Sequence, residues 1–191
     1  MARSTKEDTL RRRDARENHE RLIEAARRVF ASSGFEASLA AIASEAGVGR
    51  ATLYRNFPDK FALVAAIFED NLVALETLAS EHAGRPDALL TLLAAIVEHQ
   101  IEAHALFRML LTGPTTPDIS GLERRTKQLL RPALDDAKAA GRVRDDLGLD
   151  DVMALLTMIS GLLAADTRAS SRRQRASRAL ELLLHGILPR T

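Results

Sequence analysis

The sequence predicts an all-α fold of about nine helices, on three observations. Apolar residues are 46% of the 191, enough for a buried core, yet aromatic residues are 4% and tryptophan is absent. A core built from Leu, Ala, Ile and Val suits helices, because strands favour β-branched and aromatic side chains. Apolar residues also recur at three- and four-residue steps, the period of a helix buried along one face. The interruptions are short turn-forming groups, such as Gly84-Arg85-Pro86-Asp87 and Thr112-Gly113-Pro114-Thr115-Thr116-Pro117.

Taken in order, residues 1–14 are polar and charged, with Arg11, Arg12 and Arg13 adjacent. They are expected to form a mobile arm, most simply a solvated tail, with reach to phosphates or a minor groove as the sharper reading. A first helix over 15–33 buries Leu22, Ile23, Ala26, Val29 and Phe30 and turns Arg21, Glu24, Arg27 and Arg28 to water. Gly34 closes it, and Phe35 packs back on the core. Ser38 then caps a short helix carrying Leu39, Ile42, Ala43 and Ala46 on one face. Gly47 stops that helix, since glycine takes the left-handed conformation without a Cβ clash.

After Gly49 a second short helix opens at Arg50. Its large apolar residues are Leu53 and Phe57, and no carboxylate occurs from Arg50 to Phe57. A helix pinned to a core by two residues, with an acid-free polar face outward, suits an anionic partner. This is the plan of a helix-turn-helix, whose second helix enters the DNA major groove. Arg50 can pair with guanine O6 and N7, and Ala51 can touch a thymine methyl. Thr52, Tyr54, Asn56 and Lys60 carry donors suited to phosphate oxygens. Ser38 can donate to a phosphate as well as cap, and Arg55 adds a further cation.

The stretch resembles the DNA-binding motif of the tetracycline-repressor (TetR) family of bacterial transcriptional regulators. The resemblance is carried by Ser38, Ile42, Ala43, Ala46, Gly47, Val48, Thr52, Leu53, Tyr54, Phe57, Lys60 and Leu63, about the first third of the chain. It implies base contacts around Gly49, Arg50 and Ala51 and phosphate contacts from Thr52, Tyr54, Asn56 and Lys60. Gly49 stands where such proteins often carry Ser, and Asn56 where His is frequent. The resemblance further implies an N-terminal three-helix DNA-binding domain, followed by a larger helical domain for ligand binding and dimerisation. The expected division is 1–62 and 63–191.

Asp59, following Pro58, is expected to cap a fourth helix with Phe61, Val64, Ile67, Phe68, Leu72, Leu75 and Leu78 at helical steps, serving as a strut. Further helices are expected over 86–103, 104–111, 118–140, 150–167 and 171–188. Pro132 should kink the one that contains it. The last two are expected to pair two copies of the chain on a palindromic operator. Ser160-Gly161 and Ala164-Ala165 would allow close helix approach. The alternative is that 150–167 is simply a central core helix. Leu93, Val97, His99, Phe107, Met109, Leu110, Met153 and Met158 are candidates for an effector pocket, since Met and Phe tolerate variable ligands.

Other classes find little support. Residues 1–60 hold 12 Lys/Arg against 9 Asp/Glu and the remainder 15 against 17, so the first third is mildly basic. The chain has no cysteine, which removes disulfide and thiolate chemistry and fits a reducing cytoplasm. No secretory leader or run of about 18 apolar residues is evident. Gly47-Val48-Gly49 lacks the third glycine of a dinucleotide loop, and His99, Glu102 and His104 lack metal-site spacing. Neither cofactor nor catalytic constellation is therefore expected. The expected function is that of a DNA-binding regulator, a repressor released by a small molecule. The alternative is a dimeric helical ligand-binding module without a primary role on DNA.

Overall fold

The computed structural model describes residues 2–106, 120–165 and 171–188. Their regular elements are all helices: α1 (Ala2–Ser33), α2 (Leu39–Ala46), α3 (Arg50–Asn56), α4 (Lys60–Glu81), α5 (Ala88–Glu102), α6 (Ser120–Ala139), α7 (Leu149–Ala165) and α8 (Arg172–Ile187). Residues 104–106 are helical as well, and the rest of the expected 104–111 helix lies outside the described residues. The chain divides into two compact units, Met1–Ile67 and Phe68–Thr191, with the boundary inside α4.

Residues 2–14 are the first turns of α1 and not an arm. They lack an apolar stripe, which is why periodicity missed them. A helix already nucleated over its packed half adds turns cheaply. Exposed pairs four residues apart, Arg13 with Glu17 at 3.3 Å and Arg16 with Glu20 at 2.9 Å, add a few tenths of a kcal/mol each.

In the first unit α2 and α3 pack on α1. Leu22, Ala25, Ala26 and Phe30 of α1 meet a core that includes Ile42, Leu53, Leu63 and Ile67, all buried. Arg27 is half-buried and not turned to water; its guanidinium donates to the Ile67 carbonyl at 3.4 Å. Phe35 stacks on Phe30 with ring centroids 5.8 Å apart. Asp59 accepts from the Ala62 amide at 2.8 Å, capping α4.

In the second unit α5 is the hub, packing against α6, α7 and α8. Its Leu89, Leu92, Leu93, Ile96 and Val97 are buried. The centre is therefore α5, and α7 buries only one face, through Val152, Leu156, Ile159 and Leu163. Met158 on the other face of α7, Leu182 on α8 and Leu188 just after it stay exposed, at 52%, 56% and 40%. The loop after α6 is fastened by the Arg144 amide, which donates to the Ile187 carbonyl at 2.9 Å. Helix α6 runs through Pro132 to Ala139. Among the described residues no helix is long and apolar enough to cross a membrane.

Candidate nucleic-acid interface and effector cavity

The turn between α2 and α3 is fixed from both ends. Ser38 Oγ accepts from the Ala41 amide at 3.1 Å, so the cap at the start of α2 is made. At its other end Gly47 has φ of +64°. The Gly47 amide donates to Ser44 and the Val48 amide to Ala43, at 3.1 and 3.0 Å, the paired bonds of a Schellman ending. Sequence reasoning missed Arg21, whose Nη2 donates to the Ala46 carbonyl at 2.6 Å. A cation at a helix C-terminus also opposes the negative end of the helix dipole. Arg28 adds a second tie from α1 to α2, through Glu45 at 2.8 Å.

Helix α3 starts from Gly49, whose carbonyl accepts from the Thr52 and Leu53 amides at 2.9 and 3.1 Å. Gly49 has no side chain to satisfy a further amide, so this N-cap lacks the usual side-chain bond. Leu53 and Phe57 are buried, and the Phe57 ring lies 4.8 Å from that of His19 on α1. With those two inward, Arg50, Ala51, Tyr54 and Arg55 fall together on the outward face, and all four are exposed. Tyr54 is 56% exposed. Thr52, Asn56 and Lys60 are half-buried. Asn56 Nδ2 donates to the Thr52 carbonyl at 2.8 Å, and Lys60 Nζ to the Phe35 carbonyl at 3.0 Å. These two side chains thus already have partners within the motif. Ser38 is exposed at the start of α2.

The second unit holds a cavity of about 280 Å³ lined from α4, α5, α6 and α7. Of the expected pocket residues, His99 and Met153 line it. Leu93 and Val97 do not; they are buried in the main core of the unit. Leu93 sits about 10 Å further toward the start of α5, by helix rise from Gln100. Met158 points away, because it lies about 200° around α7 from the lining residue Leu156. Phe107, Met109 and Leu110 lie outside the described residues. The lining that was missed includes Asn71, Gln100 and Ser160. Their signal was legible as polar residues at core register: Asn71 follows Ile67 by four, Gln100 follows Ile96 by four, and Ser160 follows Leu156 by four.

Charged groups beside the cavity are paired. Lys127 contacts Glu123 and Asp150, both at 3.0 Å, and these carboxylates raise its ammonium above the ordinary lysine range. Arg125 bridges Glu69 and Glu76 at 2.7 and 2.8 Å, which tie α6 to α4 and raise the guanidinium further above its usual range.

Comparison with known proteins bears on both units. Residues 22–67 match the family model described as bacterial regulatory proteins, tetR family. Residues 85–189 match that of the transcriptional regulator SbtR-like, C-terminal domain. An HTH-type transcriptional regulator of Staphylococcus aureus (strain USA300) is 42% identical over 62 residues, 32% of this chain. That match spans about a third, 34%, of the relative's length. Among solved structures, a TetR transcriptional regulator from Streptomyces coelicolor superposes with a TM-score of 0.69 at 28% identity, over 91% of this chain and 99% of that one. A TetR transcription regulatory protein from Mycobacterium vanbaalenii gives 0.69 and 28%, over 93% and 99%. With the family models covering the reading motif and more than half of the chain beyond it, the chain belongs to the TetR family of bacterial transcriptional regulators.

Proposed function

We propose that this chain is a sequence-specific DNA-binding regulator, a cytoplasmic repressor that leaves its operator when a small molecule binds. The observation that carries the reading is the exposed, acid-free face of α3: Arg50, Ala51, Tyr54 and Arg55 outward, with Leu53 and Phe57 fixed in the core. Such a face can lie against base edges while phosphates are met on its flanks. Arg50 reads a guanine, Ala51 and Gly49 approach the bases, and Tyr54, Arg55, Thr52 and Ser38 face the backbone. Asn56 and Lys60 steady the motif and offer their remaining N–H groups to phosphates.

The unit Met1–Ile67 reads DNA, and the unit Phe68–Thr191 receives the effector and pairs two copies of the chain. Met158, Leu182 and Leu188 are large apolar residues left exposed on or beside the last two helices, which fits burial against a second copy. Two copies would meet a palindromic site through successive major grooves about 34 Å apart. Because α4 passes from one unit into the other, an effector bound beside it can favour one dimer geometry. It shifts the equilibrium only by its differential affinity for the two.

The test uses an operator selected from random DNA. Arg50→Ala and Tyr54→Ala are expected to lose salt-sensitive binding to it while the dimer persists in sedimentation. Unchanged binding in both variants would leave only the ligand-binding module.

A further inference from the structure

Among the described residues, the buried polar side chains are Asn71, Gln100 and Ser160, at 7%, 5% and 6% exposure. All three line the same 280 Å³ cavity. Buried polar groups normally have hydrogen-bond partners, so their convergence on one void points to a polar occupant.

The hydrogen bonds already present decide its character. Three hydroxyls line the cavity, and each donates to a carbonyl of its own helix: Thr126 to Leu122 at 2.9 Å, Thr157 to Met153 at 2.9 Å and Ser160 to Leu156 at 3.1 Å. What they still offer is lone pairs. The Gln100 amide is oriented by chemistry, with Nε2 toward the Leu156 carbonyl at 3.4 Å. A flipped amide would set oxygen against oxygen. Gln100 Oε1 is buried without a hydrogen-bond partner. Apart from the N–H groups of Asn71 and the second N–H of Gln100, the polar wall therefore offers acceptors. Neither Lys nor Arg lines the cavity, and its one carboxylate, Glu123, is paired with Lys127. Phe68, Leu72, Leu75, Ile96, Leu122 and Leu156 supply the apolar remainder.

We infer that the effector is a compact neutral molecule with an apolar skeleton, which donates a hydroxyl or N–H hydrogen to Gln100 Oε1. The inference rests on reading this cavity as the effector site. An anion would meet amide N–H groups of Asn71 and Gln100 but no Lys or Arg side chain, among several lone pairs, and would be left poorly compensated. A free cation would find Glu123 already engaged. The volume lies near the lower end of ligand pockets, roughly 300–1,000 Å³, which favours a single small ring system or short chain over a large conjugate.

The test is calorimetric titration of the full chain with two matched series. One is 1-naphthol, 1-methoxynaphthalene and 1-naphthoate; the other is decan-1-ol, decyl methyl ether and decanoate. Each alcohol is expected to bind about three- to tenfold tighter than its ether, the worth of one hydrogen bond to a buried acceptor. Each carboxylate is expected to bind at least tenfold more weakly than the alcohol. Gln100→Leu keeps the volume and removes the acceptor. It should abolish the alcohol–ether difference with only a small change in the melting temperature of the free protein, since the lost Oε1 had no partner and the Leu156 carbonyl, losing the long bond from Nε2, keeps the Ser160 hydroxyl. Carboxylates binding as tightly as alcohols would overturn the inference, as would an alcohol–ether difference that survives Gln100→Leu or a large fall in melting temperature. So would a failure of both series to bind at about 1 mM. Operator binding by the same sample separates the two readings: intact DNA binding with the ligand preference absent sinks the effector class alone, whereas lost DNA binding sinks the regulator reading.

Discussion

The Nζ of Lys60 donates to the Phe35 carbonyl at 3.0 Å and stands 5.1 Å from the centroid of the Phe35 ring. The first turn of α4 is thereby fastened to the loop that leads into α2. A cation over an aromatic face adds to the hydrogen bond. Lys60→Met should cost about 1 kcal/mol of stability, seen as a lower melting temperature. Its salt slope of DNA binding should fall by less than the roughly one unit expected for a lysine committed to a phosphate. A full unit of lost slope with an unchanged melt would assign Lys60 to DNA alone.

Gly47 and Gly49 flank the same turn but obey different constraints. At Gly47, φ is +64° and an added Cβ would come within 2.9 Å of Arg21 Nη2. Gly47→Ala is expected to destabilise the protein by about 1–2 kcal/mol, from backbone strain with displacement of the Arg21 bond to Ala46. Arg21→Ala should remove the contact but not the strain, so the double variant stays destabilised. Thermal denaturation of the three variants decides it.

Gly49 has φ of −69° and ψ of 148°, and nothing lies within 4 Å of an added Cβ. Those angles suit any N-cap residue. Gly49→Ser should therefore stabilise α3 by a few tenths to about 1 kcal/mol, through a new bond to a first-turn amide. Slower exchange of the α3 amides would register the gain, and no change would mean that the serine faces elsewhere.

Met158 and Leu182 are each more than half exposed. If they are covered by a second copy, Met158→Glu or Leu182→Glu buries a charge in the dimer and leaves the monomer almost untouched. Sedimentation equilibrium should then report dissociation at micromolar concentration, with helicity retained. A dimer of unchanged strength in both variants would move the interface elsewhere.

The Arg178 guanidinium, 2.7 Å from Glu181, holds that carboxyl below the usual glutamate range. With the folded pKa below the unfolded one, the pair contributes above the unfolded value and fades as pH falls through the folded one. Arg178→Ala should raise the Glu181 titration seen by NMR, while the melting temperature at neutral pH barely moves, because the pair is exposed.

The reading motif was legible because its constraints are local. Ser38, Gly47, Leu53 and Phe57 each carry their reason within a few residues: a cap, a left-handed stop and two anchors at helical spacing. The cavity was less legible. His99 and Met153 were found among apolar candidates, while Leu93, Val97 and Met158 were drawn from the same stripes and belong to the core or the surface. Periodicity gives the face of a helix but not which level along it meets a void. The helical start of the chain was missed for the opposite reason: the sequence of residues 2–14 is polar and charged and carries no apolar residues at a helical period.

By itself, the order of side chains determined an all-α chain, a helix-turn-helix beginning at Ser38 and the outward set from Arg50 to Arg55. Helix periods, caps and glycine conformations act between near neighbours and need no distant partner. Only tertiary structure decided that α5 is the hub, that Arg21 closes α2 and Lys60 holds Phe35, and that Asn71, Gln100 and Ser160 share one cavity. Those pairings join residues 25 or more positions apart, and they exist only once the helices have packed.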